Sequence, residues 1–337
     1  MRPVSVAKVS SLRPVSGTAE EILGLLREWD AAEDPEPLVI ATSGSTGPAK
    51  RVMLSRDAMR ASALATQGRL GGPGQWVLNL PPTYVAGVQV LYRSVLAGTE
   101  PVGDIEELSN ERGFVSLVPT QLMRVLGGSM PSERLARCTA VLVGGGPLDP
   151  EARREAEARD IRVVQTYGMS ETCGGCVYDG RPLDGVEVRL DDGEVQLRGP
   201  VLFEGYEGDP ERTASVMKDG WFRTNDLGRL DHDGRLWVTS RLDDVIISGG
   251  VKVPADAVAR MIAVEPDVRD VEVFGVPDRE WGERVVAVVA PDNALSLESV
   301  RSRVQPRAWA PRQLVLVDEI PLLPNGKPDL VRMRAMA

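Results

Sequence analysis

Histidine and lysine are scarce in this chain: one histidine, His232, and five lysines (Lys8, Lys50, Lys218, Lys252 and Lys327) among 337 residues. Arginine supplies the rest of the basic residues, so a lysine kept inside a motif carries information. Cysteine is scarce too. Cys138, Cys173 and Cys176 are an odd, low number, which argues against a disulfide scaffold and suits a reducing cytosol. The lone Cys173-Gly-Gly-Cys176 would need Cys138 and His232 to converge on it before it could hold zinc; buried, inert thiols are the simpler reading. No apolar run is long enough to cross a bilayer. The opening MRPVSVAKVS has no apolar signal-peptide core, so the expectation is a cytoplasmic protein without a membrane partner. Positive charge is also in deficit. A net charge of -10 argues against a nucleic-acid partner, although local cations and backbone N–H groups can still hold a phosphate on an acidic protein.

What is present is ordinary for a globular chain, with length for one large core and a smaller second one. Residues 18–29 predict a helix: Thr18 and Glu21 have capping-box spacing, and Ile22, Leu25, Leu26 and Trp29 make one apolar face. Short apolar strands then alternate with helical segments as far as residue 168, beginning with PLVIA at 37–41 and a helix capped by Ser55. This order predicts a mostly parallel sheet flanked by helices. Beyond about residue 180 the chain turns to short alternating strands joined by Asp-Gly turns, a hairpin signal. After Arg241 strands and helices restart as a compact α+β unit. The fold class is therefore α/β, with a large N-terminal domain (1–241) of mostly parallel sheets plus a β-rich subdomain, and a small C-terminal domain (242–337).

The most pointed stretch is ATSGSTGPAKR, residues 41–51. Thr42, Ser43, Ser45 and Thr46 offer hydroxyls, Gly44 and Gly47 allow close backbone approach, and Lys50 adds charge. The spacing is not that of a Walker A loop. Gly44 and Gly47 are too close, and Arg51 stands where Ser or Thr would meet magnesium, so a P-loop hydrolase is disfavoured.

This loop resembles the phosphate loop of the adenylate-forming enzymes: acyl- and aryl-CoA synthetases, peptide-synthetase adenylation domains and luciferases. Further family segments follow in order: VLVGGGPL (141–148), QTYGMSET (165–172), GWFRTNDLGRL (220–230), SRLDDVIISGG (240–250) and PLLPNGKPD (321–329). The resemblance spans nearly the whole chain. It implies ATP and coenzyme A as co-substrates, Mg2+ as cofactor, and a mobile C-terminal domain pivoting at Asp243. It also implies residue roles. Glu171 is the magnesium carboxylate, and Ser170 and Thr172 reach the α-phosphate. Gly144, Gly145, Gly146, Tyr167 and Gly168 receive adenine, Asp226 and Arg241 the ribose. Lys327 bridges the acid and the α-phosphate, and Gly249 and Gly250 line the path of the CoA arm. Such charged and polar groups suit the negative charge that develops as AMP passes to a carboxylate. Four departures stand out: Pro48-Ala49 in the loop, Arg51 where the family commonly has glycine, Asn225 where the family has glycine, and Tyr84 where many acyl-CoA synthetases carry a gating histidine.

The short region before the loop and the segment LPPTYVAGVQVLYRSVLAG (80–98) resemble the branch of the family that activates o-succinylbenzoate for menaquinone synthesis. In that reading Arg93 holds the second carboxylate of a diacid and Tyr84 meets its aromatic part; the alternative for Arg93 is a solvated helix arginine. A ligase for another aryl or medium-chain acid, and a non-catalytic adenylate-binding module, stay open, as does the oligomeric state, a homodimer included.

Overall fold

The computed structural model describes residues 10–42, 50–109, 112–128, 131–242, 244–264, 267–323 and 328–337. The expected alternation builds a six-stranded sheet. From one edge its strands are Gln75–Val77, Gly113–Leu117, Ala140–Val143, Val163–Met169, Gly174–Tyr178 and Arg181–Pro182. The first four are parallel; Gly174–Tyr178 returns antiparallel, and Arg181–Pro182 pairs antiparallel with it in turn. A strand buried on both faces must be apolar throughout, and every residue of Ala140–Val143 is buried. The period of two splits it between two cores. Ala140 and Leu142 pack with Leu70, Trp76 and Val90; Val141 and Val143 pack with Leu122, Val125 and Ala152.

Local chemistry sets the helix ends. Thr18 Oγ1 accepts the Glu21 N–H at 3.3 Å and the Glu21 carboxylate accepts the Thr18 N–H at 2.7 Å, a complete capping box for Ala19–Ala31. Ser55 caps Arg56–Leu70 through the Ala58 N–H. Gly87, in the first turns of Val85–Ala97, lets the preceding loop close on the helix: a Cβ there would lie 2.1 Å from the Pro81 carbonyl oxygen.

The phosphate-loop region is built differently from a strand that leads into a helix. Leu38–Thr42 pairs antiparallel with Lys50–Leu54, Thr42 opposite Lys50, and Gly205–Tyr206 adds a third strand against Met53 and Val52. Next comes the β-rich part. Glu187–Asp191 and Glu194–Arg198 form the hairpin expected at Asp192-Gly193, and they join Trp221–Leu230, Met217–Lys218 and Leu236–Arg241.

Beyond residue 244 the strands Val245–Ser248, Val251–Pro254, Val268–Asp278, Gly282–Pro291 and Gln313–Leu316 make a separate sheet. It packs with Ala255–Ala263 and Leu297–Arg303 around Ile246, Val253, Val258, Val285 and Val300. Among the described residues, none from before 245 enters this core cluster.

Candidate active site

Glu171 lies just past the C-terminal end of the parallel strand Val163–Met169, in the short turn Ser170–Thr172. Strand ends of this kind are where open α/β sheets bind ligands. Its carboxylate is 7% exposed. Oε1 accepts the Tyr206 hydroxyl at 2.8 Å and has the Lys50 ammonium 3.8 Å away. Its backbone carbonyl accepts the Phe203 N–H at 2.9 Å. Among the described residues Oε2 has no hydrogen bond, which leaves it able to take a cation. Among the described residues no cluster of three His, Cys, Asp or Glu could hold a metal alone. One carboxylate beside a phosphate site is instead the donor set Mg2+ uses, its remaining places being filled by phosphate oxygens and water.

Thr172, expected to reach the α-phosphate, does not face that way. It is fully buried, and its Oγ1 accepts the Met169 N–H at 2.9 Å while lying 2.7 Å from the Gly174 carbonyl oxygen. The hydroxyl is used up in closing a turn that ends in left-handed Cys173, φ 52°. Ser170 remains partly exposed beside Glu171.

A second corner gathers Tyr167, Asp226 and Arg241. The Tyr167 hydroxyl donates to Asp226 Oδ2 at 2.7 Å, and Arg241 Nε is 3.3 Å from Oδ1. Strand pairing brings the last two together, since Asp226 on Trp221–Leu230 is the register partner of Arg241 on Leu236–Arg241. Burial, and then the Asp226 charge, raise the Tyr167 phenol above its ordinary range, so it stays a donor. Asn225 has φ 65°, the left-handed region. Asparagine tolerates that region best after glycine, which explains how the departure from the family's glycine leaves Asp226 in place. Gly144 is demanded by packing: a Cβ there would be 2.2 Å from Thr166 Oγ1. Gly145 and Gly146 follow with exposed backbone, as a flat base would need, and Gly168 lies in the strand alongside.

Arg93 is 4% exposed, which overturns the solvated reading. Its guanidinium stacks 4.8 Å from the Trp76 ring, donates to Thr66 Oγ1 at 3.2 Å, and leaves Nε without a partner. No described carboxylate pairs with it, and burial lowers its pKa. Tyr178, which bonds Thr66 at 3.0 Å, lies against Gly175 in the strand beside Val163–Met169. Tyr84 is half-buried at the start of the same helix.

Thr42 ends its strand with Oγ1 3.5 Å from the Lys50 carbonyl oxygen. Gly249 and Gly250 are exposed in the turn between Val245–Ser248 and Val251–Pro254. Ser43, Gly44, Ser45, Thr46, Gly47, Asp243 and Lys327 lie outside the described residues. The cysteines are buried, and burial pushes the thiols up, Cys138 to about 11 and Cys176 to about 12. A shallow depression of 1010 Å³ on the C-terminal unit, lined by Arg269, Leu316, Asp318 and Met336 among others, contains none of these residues. The sequence reading missed Tyr206 and Phe203, whose two-residue strand and flanking loop carry no periodicity.

A parallel-sheet shelf with a lysine, a cation-ready carboxylate and a ribose-type aspartate defines a nucleotide-activating enzyme of the adenylate-forming class. The model for AMP-binding enzymes matches residues 26–207, and that for the AMP-binding enzyme C-terminal domain matches 258–327. The chain belongs to the AMP-binding enzyme family. A probable 2-succinylbenzoate–CoA ligase of Mycobacterium tuberculosis is 42% identical over 333 residues, 92% of this chain and 87% of that protein. A 2-succinylbenzoate–CoA ligase of Listeria monocytogenes is 30% identical over 334 residues, 90% of this chain and 70% of its own length. The structure of o-succinylbenzoate CoA synthetase from Bacillus subtilis, in complex with its acyl-adenylate intermediate, aligns with a TM-score of 0.76 at 25% identity, covering 88% of this chain and 68% of that one.

Proposed function

We propose that this chain is an AMP-forming acid–thiol ligase that converts 2-succinylbenzoate, ATP and CoA into the CoA thioester, AMP and pyrophosphate. The single observation that carries the reading is the meeting of Glu171 and Lys50 beyond the parallel strand end, next to the paired Tyr167 and Asp226. The similarity to 2-succinylbenzoate–CoA ligases along most of the chain supports the acid.

In the first half-reaction a carboxylate oxygen of the acid attacks the α-phosphorus, and the bond to the β-bridging oxygen breaks. Lys50, Thr42 and the 43–47 hydroxyls and amides hold the β- and γ-phosphates that leave. Mg2+, held by Glu171 and phosphate oxygens, would neutralise the charge growing on the pyrophosphate. Asp226, held between the Tyr167 hydroxyl and Arg241, accepts from the ribose hydroxyls. Lys327 supplies a point charge between acid and α-phosphate. In the second half-reaction the CoA sulfur attacks the acyl carbonyl and AMP leaves. Residues 242–337 then act as a domain pivoting at Asp243, with Gly249 and Gly250 along the thiol's path.

Arg93 explains why a diacid is chosen. A buried guanidinium without a carboxylate is costly, and a ligand carboxylate offsets that cost. One acid group of 2-succinylbenzoate pairs with Arg93 and the other reacts. The cytosol is the expected site of such chemistry, and no helix among the described residues is long and apolar enough to cross a membrane.

The test is pyrophosphate release over a panel of acids, with mass detection of the acyl-adenylate. Clear preference for 2-succinylbenzoate is expected. Equal rates with benzoate-type monoacids or medium-chain acids would replace the substrate, and ADP in place of AMP would replace the mechanism.

A further inference from the structure

Glu171 and Lys50 carry opposite charge and stand side by side, yet they do not close into a contact pair. Nζ is 3.8 Å from Oε1, well outside the roughly 2.7–2.9 Å of a charge-assisted hydrogen bond. What Oε1 holds instead is the Tyr206 hydroxyl, at 2.8 Å. We propose that Tyr206 is a positioning residue for the metal site: its hydroxyl occupies Glu171 Oε1, leaves Oε2 for the divalent cation, and keeps Lys50 from being neutralised before the phosphates arrive. This rests on the reading of Glu171 as the metal carboxylate.

Tyr206 touches both charges. It donates to the anion, and its ring lies 5.4 Å from the Lys50 ammonium, within range of a cation–π attraction. It is also immobile. The side chain is 4% exposed, the backbone pairs with Val52, and the N–H donates to Thr213 Oγ1 at 2.9 Å. Phe203 meets the ring edge-on, centroids 5.0 Å apart. Phe203 also donates its N–H to the Glu171 carbonyl, so the 203–206 segment grips this glutamate by backbone and by carboxylate. A ligand held this way has its orientation chosen before the metal binds, which is what an outer partner of a metal ligand does.

Removing only the hydroxyl, Tyr206→Phe, lets Lys50 and Glu171 collapse onto each other. The consequence is specific: ATP binding with metal weakens more than ATP binding without it. The measurement is Mn2+ binding by electron paramagnetic resonance in the presence of ATP, paired with calorimetric ATP affinity with and without Mg2+. Tyr206→Phe should weaken Mn2+ binding about tenfold, the worth of a hydrogen bond to a charged group. Metal-free ATP affinity should change less than twofold and the melting temperature should hold. Tyr206→Phe added to Glu171→Gln should do nothing further. Wild-type Mn2+ affinity in Tyr206→Phe, or an equal loss with and without metal, would overturn the role. If Tyr206→Phe does not fold, Phe203→Leu supplies the second route. Loosening the ring without touching Lys50 or the Glu171 carboxylate, it should weaken Mn2+ binding severalfold and metal-free ATP binding less than twofold, and an equal effect on both, or none on Mn2+, would overturn the proposal. If Glu171→Gln keeps full Mn2+ binding, the metal reading itself fails; if Glu171→Gln loses it and Tyr206→Phe does not, only the tyrosine's part fails.

Discussion

Glu171 and Glu272 are both drawn in from solvent, and their surroundings are opposite. In the nucleotide cradle Glu171 has a hydroxyl donor and an ammonium beside it. On Val268–Asp278 of the C-terminal unit, burial and then the charges of Asp270, Asp244 and Asp256 push Glu272 up to about 7. The cradle sets cations and hydroxyl donors beside its carboxylates, the groups proposed to meet a metal and a sugar. Near the proposed pivot, acids face acids, and one of them titrates at neutral pH. Burial alone thus predicts neither charge state nor role; the neighbours decide.

Breaking the cradle side should have the largest effect. Lys327→Ala or Glu171→Gln should slow adenylation about 10²–10³-fold in pyrophosphate release, the usual cost of losing one transition-state charge partner. Arg93→Met should follow, with KM for 2-succinylbenzoate raised about 10–100-fold and monoacid turnover little changed, since a buried charge pair is worth a few kcal/mol. Asp226→Asn should weaken AMP binding about tenfold by calorimetry. Arg241→Gln should cost less, severalfold at most, because the arginine side chain is 52% exposed.

The C-terminal side should respond to pH instead. Glu272 has a folded pKa of about 7, above the ordinary 4.5, so the folded protein holds an extra proton between those values. Its contribution to stability is greatest below 4.5, declines as pH rises through 7, and is constant above that. Glu272→Gln should flatten this slope and raise the melting temperature by about 2–4 °C at pH 8 in a calorimetric scan. An unchanged slope would show that neither burial nor the acidic neighbours raise Glu272.

Much of this was legible from residue order. Helix caps at Thr18 and Ser55, the apolar runs of the parallel strands and the Asp192-Gly193 turn are local signals, and each element formed where those signals lie. The pairing of Tyr167 with Asp226 was not legible as a bond, although both residues were singled out. Tyr206 escaped because a two-residue strand has no pattern, and its partner lies 35 positions away. Lys50–Leu54 escaped as a strand because its partner is reached only through the loop that drew attention to itself. Thr172 misled for a physical reason: a hydroxyl next to a glycine pair is as well suited to closing a turn as to binding phosphate.

The strand Leu236–Arg241 ends on an arginine that grips Asp226, and the next N–H, of Leu242, donates to the Asn225 carbonyl at 2.8 Å. The last anchor before the C-terminal unit is therefore fastened to the same carboxylate that a ribose would share. By linkage, sugar and strand end are coupled through Asp226: whatever a bound nucleotide does to the grip of Arg241, that grip does in equal measure to nucleotide affinity. The Leu242 amide would then exchange its hydrogen at a different rate with AMP bound than without, and Arg241→Gln would erase the difference.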